Sequence, residues 1–116
     1  MISGVGVDVV DIQRFGESLE RTPTLRERLF TTAEGELPLE SLAVRFAAKE
    51  AFVKALKGPA GMSWQDIEVV TMSNGAPEFL LHGAAAARAK DLGITTIHVS
   101  LSHDGGMATA FVVAEC

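Results

Sequence analysis

The chain has 116 residues, a formal net charge of −5 and 47% hydrophobic residues. This length suits one domain, and we expect residues 1–116 to form it. No apolar run is long enough to span a membrane, and the acidic balance argues against a general nucleic-acid-binding protein. The single cysteine excludes a disulfide framework, and Met1 is not followed by the basic residues that open a signal peptide. Together these features favour a cytoplasmic protein.

The first half of the chain predicts one strand followed by helices. Alternating valines and glycines predict a strand over residues 2–10, and Asp11 is placed to cap a helix that follows it. Further on, Thr31 and Glu34 have the spacing of a capping box. The longest helix is predicted over residues 41–57, because a glycine and a proline follow it directly.

The second half predicts two hairpins that flank a short helix. Strands over residues 67–72 and 77–82 are separated by a turn that contains Asn-Gly, which is typical of a hairpin. An alanine-rich helix is predicted over residues 83–92. The last two strands, over residues 94–103 and 107–114, are joined through Asp-Gly-Gly. The order of elements predicts an α+β fold, with a mostly antiparallel sheet packed on the long central helix.

The long helix carries more charged residues than is usual for a buried helix. It is apolar on two sides, with bulky residues on one and alanines on the other, which predicts that it is buried. Arg45 and Lys49 lie at the edge of the bulky stripe, whereas Glu50, Lys54 and Lys57 share another side. One interpretation is a Glu50–Lys54 ion pair with the other cationic stems lying over apolar surface. The other is an anion site lined by Arg45, Lys49 and Lys54, with Glu50 free to bind a metal.

Asp8 is the second unusual charge, because aspartate is a poor strand former. Gly4 and Gly6 share its face of the strand and would let another group approach the backbone closely. Asp8 could simply be exposed on a solvated face. Alternatively, Asp8 and Glu50 could lie close together and bind a hard divalent cation such as Mg²⁺.

The segment from His98 to Asp104 alternates apolar and polar residues, as a half-buried strand does. His98 and His103 fall on opposite faces of that strand, so a shared zinc site is not expected. His103 and Asp104 precede two glycines. They are either turn residues or ligand-contacting residues at the rim of the sheet.

Several segments of the chain, taken in order, resemble one known family. They are Gly4–Phe15, Phe30-Thr31 with Glu34, Arg45–Leu56, Trp64–Val69 and Ser100–Asp104. The pattern Arg-Phe-Ala-Ala-Lys-Glu-Ala-x-x-Lys, combined with the Gly-x-Asp and Ser-His-Asp elements, is the most specific part. In these segments the chain resembles the holo-acyl-carrier-protein synthases, the short group of 4′-phosphopantetheinyl transferases.

The resemblance implies an activity and a metal. Members of this family transfer the phosphopantetheine arm of coenzyme A to a serine of an apo acyl carrier protein and release adenosine 3′,5′-bisphosphate. The family's Mg²⁺-binding carboxylates match Asp8 and Glu50, and its catalytic lysine matches Lys54. A non-catalytic module that binds coenzyme A or a carrier protein on the same fold is the alternative. Retention of both carboxylates argues against it, since binding alone does not need two metal ligands.

The resemblance also implies partners. Positions that the family uses to bind the cosubstrate coenzyme A match Arg45, Lys49, Lys54, Ser102 and His103. Arg14 matches a basic residue that faces the acyl carrier protein, and Arg21, Arg26 and Arg28 follow it. Short members of the family are typically homotrimers with active sites between subunits, and we expect the same here.

The chemistry of such a transfer can be argued from the residues themselves. Attack on a pyrophosphate increases the negative charge on the transferred and leaving phosphoryl oxygens, and cations placed beside them stabilise that charge. Lys54 is suited to this role. The proton of the attacking serine needs an acceptor, for which Glu50 or a water on the metal is favoured and Asp104 is the weaker candidate.

Overall fold

Two antiparallel sheets form the framework of the computed structural model, which describes residues 1–116. In the larger sheet, strand β1 (Ile2–Asp11) pairs with β5 (Met107–Glu115), which pairs in turn with β4 (Thr96–Asp104). The smaller sheet is the hairpin of β2 (Ile67–Thr71) and β3 (Pro77–Leu81). The predicted strand and both predicted hairpins are therefore confirmed, and all strand pairs are antiparallel.

Five helices complete the α+β fold. They are α1 (Ile12–Arg21), α2 (Leu25–Leu29), α3 (Thr32–Gly35), α4 (Leu39–Ala55) and α5 (Gly83–Asp91), with a short 3₁₀ helix at Trp64–Asp66. None of these helices is both long enough and apolar enough to cross a bilayer. The longest, α4, packs against strands of both sheets.

The predicted helix caps are present, but α4 ends at Ala55, two residues before the predicted end, and its start differs as well. The Asp11 side chain accepts a hydrogen bond from the Arg14 amide (2.9 Å), and Thr31 forms the expected capping box. Helix α4 begins two residues before the predicted start, because the Pro38 carbonyl already accepts a hydrogen bond from the Leu42 amide (3.0 Å). At its other end Lys57 adopts a left-handed conformation with φ 65°, a position that more often holds glycine.

The close approach of β1 to α4 depends on two glycines. A Cβ atom on Gly4 would collide with the Ala55 carbonyl oxygen, and one on Gly6 would collide with that of Ala51. Strand and helix therefore meet backbone to backbone on the face of β1 that also carries Asp8. Because Gly4 and Gly6 permit this contact, the carboxylate of Asp8 lies beside α4.

The opposite face of the larger sheet is apolar along β1 and at Phe111 of β5, and there it is uncovered within the chain. Val5, Val7 and Val9 on β1 and Phe111 on β5 are about half exposed, at 54, 52, 58 and 49%. Phe111 lies directly across from Val7 in the strand register. The four side chains form one contiguous patch, which we call the valine face.

Candidate active site

A lysine of α4 bonds to the aspartate of β1 at the glycine contact. Lys54 Nζ donates hydrogen bonds to Asp8 Oδ1 (3.0 Å) and to the Val7 carbonyl oxygen (2.9 Å). The lysine side chain is 53% exposed, so substrates can reach the pair. The ion pair considered between Glu50 and Lys54 is not formed, because the close approach of β1 brings Asp8 to the lysine instead.

Glu50, one turn before Lys54 on α4, is the second carboxylate of this region. Burial raises its pKa, and the negative charge of Asp8 raises it further, whereas Lys54 opposes the shift. The Glu50 side chain is half-buried, and it makes no hydrogen bond or salt bridge with another residue. The fold thus holds two carboxylates and one ammonium close together, with the Glu50 oxygens unpaired.

Lys49 lies in different surroundings from those the sequence suggested. Its ammonium is fully buried and donates hydrogen bonds to Glu34 Oε1 (2.7 Å) and to the Trp64 carbonyl oxygen (2.9 Å). Burial lowers the pKa of Lys49, and the bond to Glu34 opposes that shift. The structure therefore gives no support to the prediction that Lys49 binds coenzyme A phosphates, because Glu34 and the Trp64 carbonyl already occupy its buried ammonium.

Arg45, one turn earlier, remains available to a ligand. Its Nη2 donates a hydrogen bond to Thr71 Oγ1 (3.0 Å), whereas its Nε is buried and has no hydrogen-bond partner. Burial lowers the pKa of Arg45, opposed by the negative charge of Glu34. Because Nε is enclosed, an anionic ligand would have to bind the Nη atoms of this half-buried guanidinium.

Ser102 and His103 lie at the far edge of the larger sheet, on β4. Both are exposed and pair with β5 through the strand backbone, but neither side chain hydrogen-bonds to another residue of the chain. His103 lines a surface cleft of about 610 Å³ with Leu39, Glu40 and Asp104. Strand β5 separates β4 from the strand that carries Asp8, so the fold does not assemble His103 and the carboxylates into one contact cluster within the chain.

The other predicted positions are also surface residues. Arg14 is exposed on α1, and its side chain makes no salt bridge. The two remaining histidines each contact a glutamate: His82 lies 3.0 Å from Glu68, and His98 contacts Glu115. The hydrogen bond from His82 is the main reason that the pKa of Glu68 is lowered.

Sequence reasoning missed the burial of Glu34. The capping-box spacing carries no information about burial, yet Glu34 is 2% exposed and also accepts a hydrogen bond from the Val69 amide (2.9 Å). The available signal was Lys49, a lysine on a helix that is apolar on two sides, which requires a buried partner.

The model of the 4′-phosphopantetheinyl transferase superfamily matches residues 4–112, from β1 to β5. The chain belongs to this superfamily. It is accordingly an enzyme of the transferase class, and the family resemblance noted in its sequence is confirmed.

Individual relatives agree over nearly the full length. The chain is 61% identical over 115 residues to the holo-[acyl-carrier-protein] synthase of Clavibacter sepedonicus, covering 99% of the chain and 97% of that relative. The solved structure of the synthase from Neisseria meningitidis has a TM-score of 0.90 and 32% identity, with both chains covered completely. That of the Helicobacter pylori synthase in complex with coenzyme A has a TM-score of 0.85 and 31% identity, covering 96% and 99%. The predicted α+β transferase fold is thereby confirmed.

Proposed function

We propose that this chain is an Mg²⁺-dependent holo-acyl-carrier-protein synthase. It transfers 4′-phosphopantetheine from coenzyme A to a serine of an apo acyl carrier protein and releases adenosine 3′,5′-bisphosphate. The observation that carries the proposal is the cluster of Asp8, Glu50 and Lys54 where β1 crosses α4, in a chain of the transferase superfamily. A coenzyme A complex of a similar synthase supports the choice of cosubstrate.

The donor set fits Mg²⁺. Carboxylate oxygens are its preferred protein ligands, and Asp8 and Glu50 present them with the Glu50 oxygens unpaired. The chain has no group of three or more histidine, cysteine or acidic side chains that could enclose a metal. That matches an ion bound by one or two carboxylates plus substrate phosphates. When bound there, Mg²⁺ would supply positive charge that stabilises the phosphoryl oxygens in the transition state.

The chain's own residues account for the remaining chemistry. Lys54 has an exposed ammonium beside Asp8 and would neutralise charge that develops on the phosphate. Glu50, whose oxygens make no hydrogen bond or salt bridge within the chain, would accept the proton of the attacking serine. Asp104, on the cleft with His103, is the weaker candidate for that role.

The decisive experiment is intact-mass analysis of an apo carrier protein after incubation with coenzyme A, Mg²⁺ and the chain. A product heavier by one phosphopantetheine supports the proposal. Coenzyme A binding without any mass change favours the alternative, a non-catalytic binding module. Arg45, Lys54, Ser102 and His103 remain the proposed coenzyme A contacts, and alanine variants at these positions should raise the KM for coenzyme A.

The working unit is proposed to be a homotrimer with active sites between subunits. The valine face leaves four large apolar side chains about half exposed, which is typical of an interaction surface rather than of solvent-facing sheet. Closure by a second and third copy would also allow His103 of one subunit to approach the carboxylates of another.

The trimer has a direct test. Light scattering should give about three times the 12.3 kDa mass of one chain. Phe111→Lys should dissociate the assembly, whereas Leu80→Lys, at an equally exposed position on β3, should not. Mixing Glu50→Ala chains with His103→Ala chains should restore some activity at a coenzyme A concentration at which neither variant alone is active. A fully active monomer would refute the proposal.

The carrier protein is proposed to bind the exposed Arg14 of α1, with Arg21, Arg26 and Arg28 nearby in sequence. These arginines would attract an acidic partner, so binding should weaken with salt. Arg14→Glu should raise the KM for the carrier protein and leave that for coenzyme A unchanged. Lys90→Glu makes the same charge change at an exposed position of α5 and should alter neither value.

A further inference from the structure

Glu34 is a buried carboxylate whose bonds join three elements of the fold. Its Oε1 accepts hydrogen bonds from the Thr31 amide (3.0 Å) at the start of α3 and from Lys49 Nζ (2.7 Å) on α4. Its Oε2 accepts one from the Val69 amide (2.9 Å) on β2. The side chain is 2% exposed. Glu34 therefore links the small helix and the smaller sheet to α4.

Lys49 is held as completely as its partner. Its Nζ also donates to the Trp64 carbonyl oxygen (2.9 Å) and lies 5.3 Å from the centroid of the Phe30 ring. Every one of these contacts is made inside the protein, on the side of α4 that faces α3 and the 3₁₀ helix. The ammonium therefore anchors α4 to elements outside the larger sheet.

Stability alone is a poor reason for such a pair. Replacing a buried ion pair with neutral residues of similar volume is often neutral or stabilising, because burying two charges costs so much. Fixing one packing arrangement is the best-supported benefit of a buried polar pair. The question is then which arrangement this pair fixes.

The pair lies across α4 from the glycine contact. Lys49 and Ala51, whose carbonyl oxygen touches Gly6, are about 200° apart around the helix. Contacts on two opposite sides leave α4 little freedom to rotate. Glu50 directly follows Lys49 and lies between the two anchors, so its direction depends on both.

We propose that Glu34 is a positioning residue for the transfer reaction, acting through Lys49 to fix the rotation of α4 that presents Glu50 and Lys54 beside Asp8. This inference rests on the proposed function, since it assigns Glu34 to the geometry of that site. Glu34 touches no substrate. Glu34 acts through α4. A small rotation of this helix would move the Glu50 and Lys54 side chains relative to β1, which does not rotate with it.

The test is the double variant Glu34→Gln/Lys49→Met. It removes both buried charges, nearly preserves volume and leaves an amide oxygen to accept a backbone hydrogen bond. We expect the double variant to stay folded with a modest loss of resistance to urea, because one of the two backbone amides that bond to Glu34 and the Trp64 carbonyl lose their partners. Its kcat should fall about tenfold or more, because misplacing reacting groups by a fraction of an ångström has effects of that order. The Mg²⁺ concentration for half-maximal activity should rise, and calorimetry should show weaker Mg²⁺ binding to the folded protein.

The KM for the carrier protein should stay unchanged in the double variant, because Arg14 lies on α1. His98→Gln/Glu115→Gln, which removes an exposed pair elsewhere, is the matched control and should leave kcat and Mg²⁺ binding at wild-type values. Glu34→Asp keeps the charge but shortens the side chain, and it should lower kcat while the protein stays folded.

The outcomes separate this inference from the proposed function. Wild-type kcat and Mg²⁺ binding in a stable double variant would overturn the positioning role and leave the proposed function intact. If kcat and Mg²⁺ binding fall only in proportion to the folded fraction, in both the double variant and Glu34→Asp, the role of Glu34 is purely structural. That result would also overturn the positioning role. Absence of transfer by the wild type would overturn the proposed function, and the inference with it.

Discussion

Two lysines five residues apart on α4 form ion pairs in opposite surroundings. Lys49 bonds to Glu34 at 2.7 Å with both side chains buried, whereas Lys54 bonds to Asp8 at 3.0 Å with its own side chain 53% exposed. Both cations are lysines of the same helix, but different elements supply their acidic partners. Because of this difference in burial, Lys49 is a fixed structural contact, whereas Lys54 is accessible to ligands.

The difference in burial matters for chemistry because it determines how much free energy is needed to separate each ion pair. In low dielectric, separating Lys49 from Glu34 would leave two uncompensated charges. An exposed pair such as Lys54–Asp8 contributes about 0.2–1 kcal/mol, so a substrate phosphate or a metal can replace either partner readily. A site that must exchange cations and anions in each turnover needs a pair of the second kind.

The largest effect expected from this comparison is on stability. Glu34→Ala should lower the free energy of unfolding by about 3–5 kcal/mol, because it leaves the Lys49 charge buried and unpaired. Asp8→Ala should lower it by no more than about 1 kcal/mol, since Lys54 can turn to water. Urea unfolding of the metal-free proteins measures both. Equal losses would contradict the distinction between the two pairs.

Loss of activity, unlike loss of stability, should be large for substitutions at Asp8 and Glu50. Asp8→Ala and Glu50→Ala should stay folded but lose about 10² or more in turnover, as expected when groups that stabilise developing charge are removed. Chelation with EDTA should abolish activity of the wild type. Asp91→Ala, at an exposed acidic position of α5, serves as the control. Near wild-type turnover in either site variant at saturating Mg²⁺ would refute the assignment.

The pH dependence of stability should be a smaller effect, specific to Glu50. Its pKa is raised above the ordinary 4.5, so the folded state binds the proton more tightly than the unfolded state. Ionised Glu50 therefore costs stability above its folded pKa, and that cost disappears as the pH falls through this value toward 4.5. Glu50→Gln should be more stable than the metal-free wild type at neutral pH, by a margin that shrinks on acidification. A margin independent of pH would contradict the shift.

The smallest effect should appear in metal binding. Lys54→Met removes the cation that bonds to Asp8 and should tighten Mg²⁺ binding about two- to fivefold, the equivalent of one exposed ion pair. Lys57→Met removes a charge from the same end of the helix without disturbing Asp8, and it should change the affinity less. Calorimetric titration compares the two variants directly. The same effect in both would show that Lys54 acts only through general charge.

Local patterns predicted the elements well because they act over a few residues. The strand of β1, the Asp11 cap, the Thr31 capping box and both hairpins are formed as expected. The start of α4 was placed two residues late, since Pro38 provides the first helical carbonyl without a capping side chain. The burial of α4 could be predicted because the helix is apolar on two sides, and each of these sides must pack against another element.

Partners of the charged residues could not be predicted in this way. The spacing of one turn allows a Glu50–Lys54 pair as one of two interpretations, but the glycines of β1 bring Asp8 to the lysine. Lys49 was placed in an anion site by its residue type. Glu34, fifteen residues away in the chain, is its partner across the fold. Such pairings depend on which elements pack together, and nothing local encodes them.

The sequence by itself determined the class of fold, the family and the two unusual carboxylates, because strand alternation, helix periodicity and specific motifs are written in neighbouring residues. Only the tertiary structure decided which lysine is buried and which is open, since that depends on how close β1, α3 and β2 come to α4. The physical reason is the environment: the same ammonium is an anchor where water is excluded and an exchangeable partner where water and substrates can reach it.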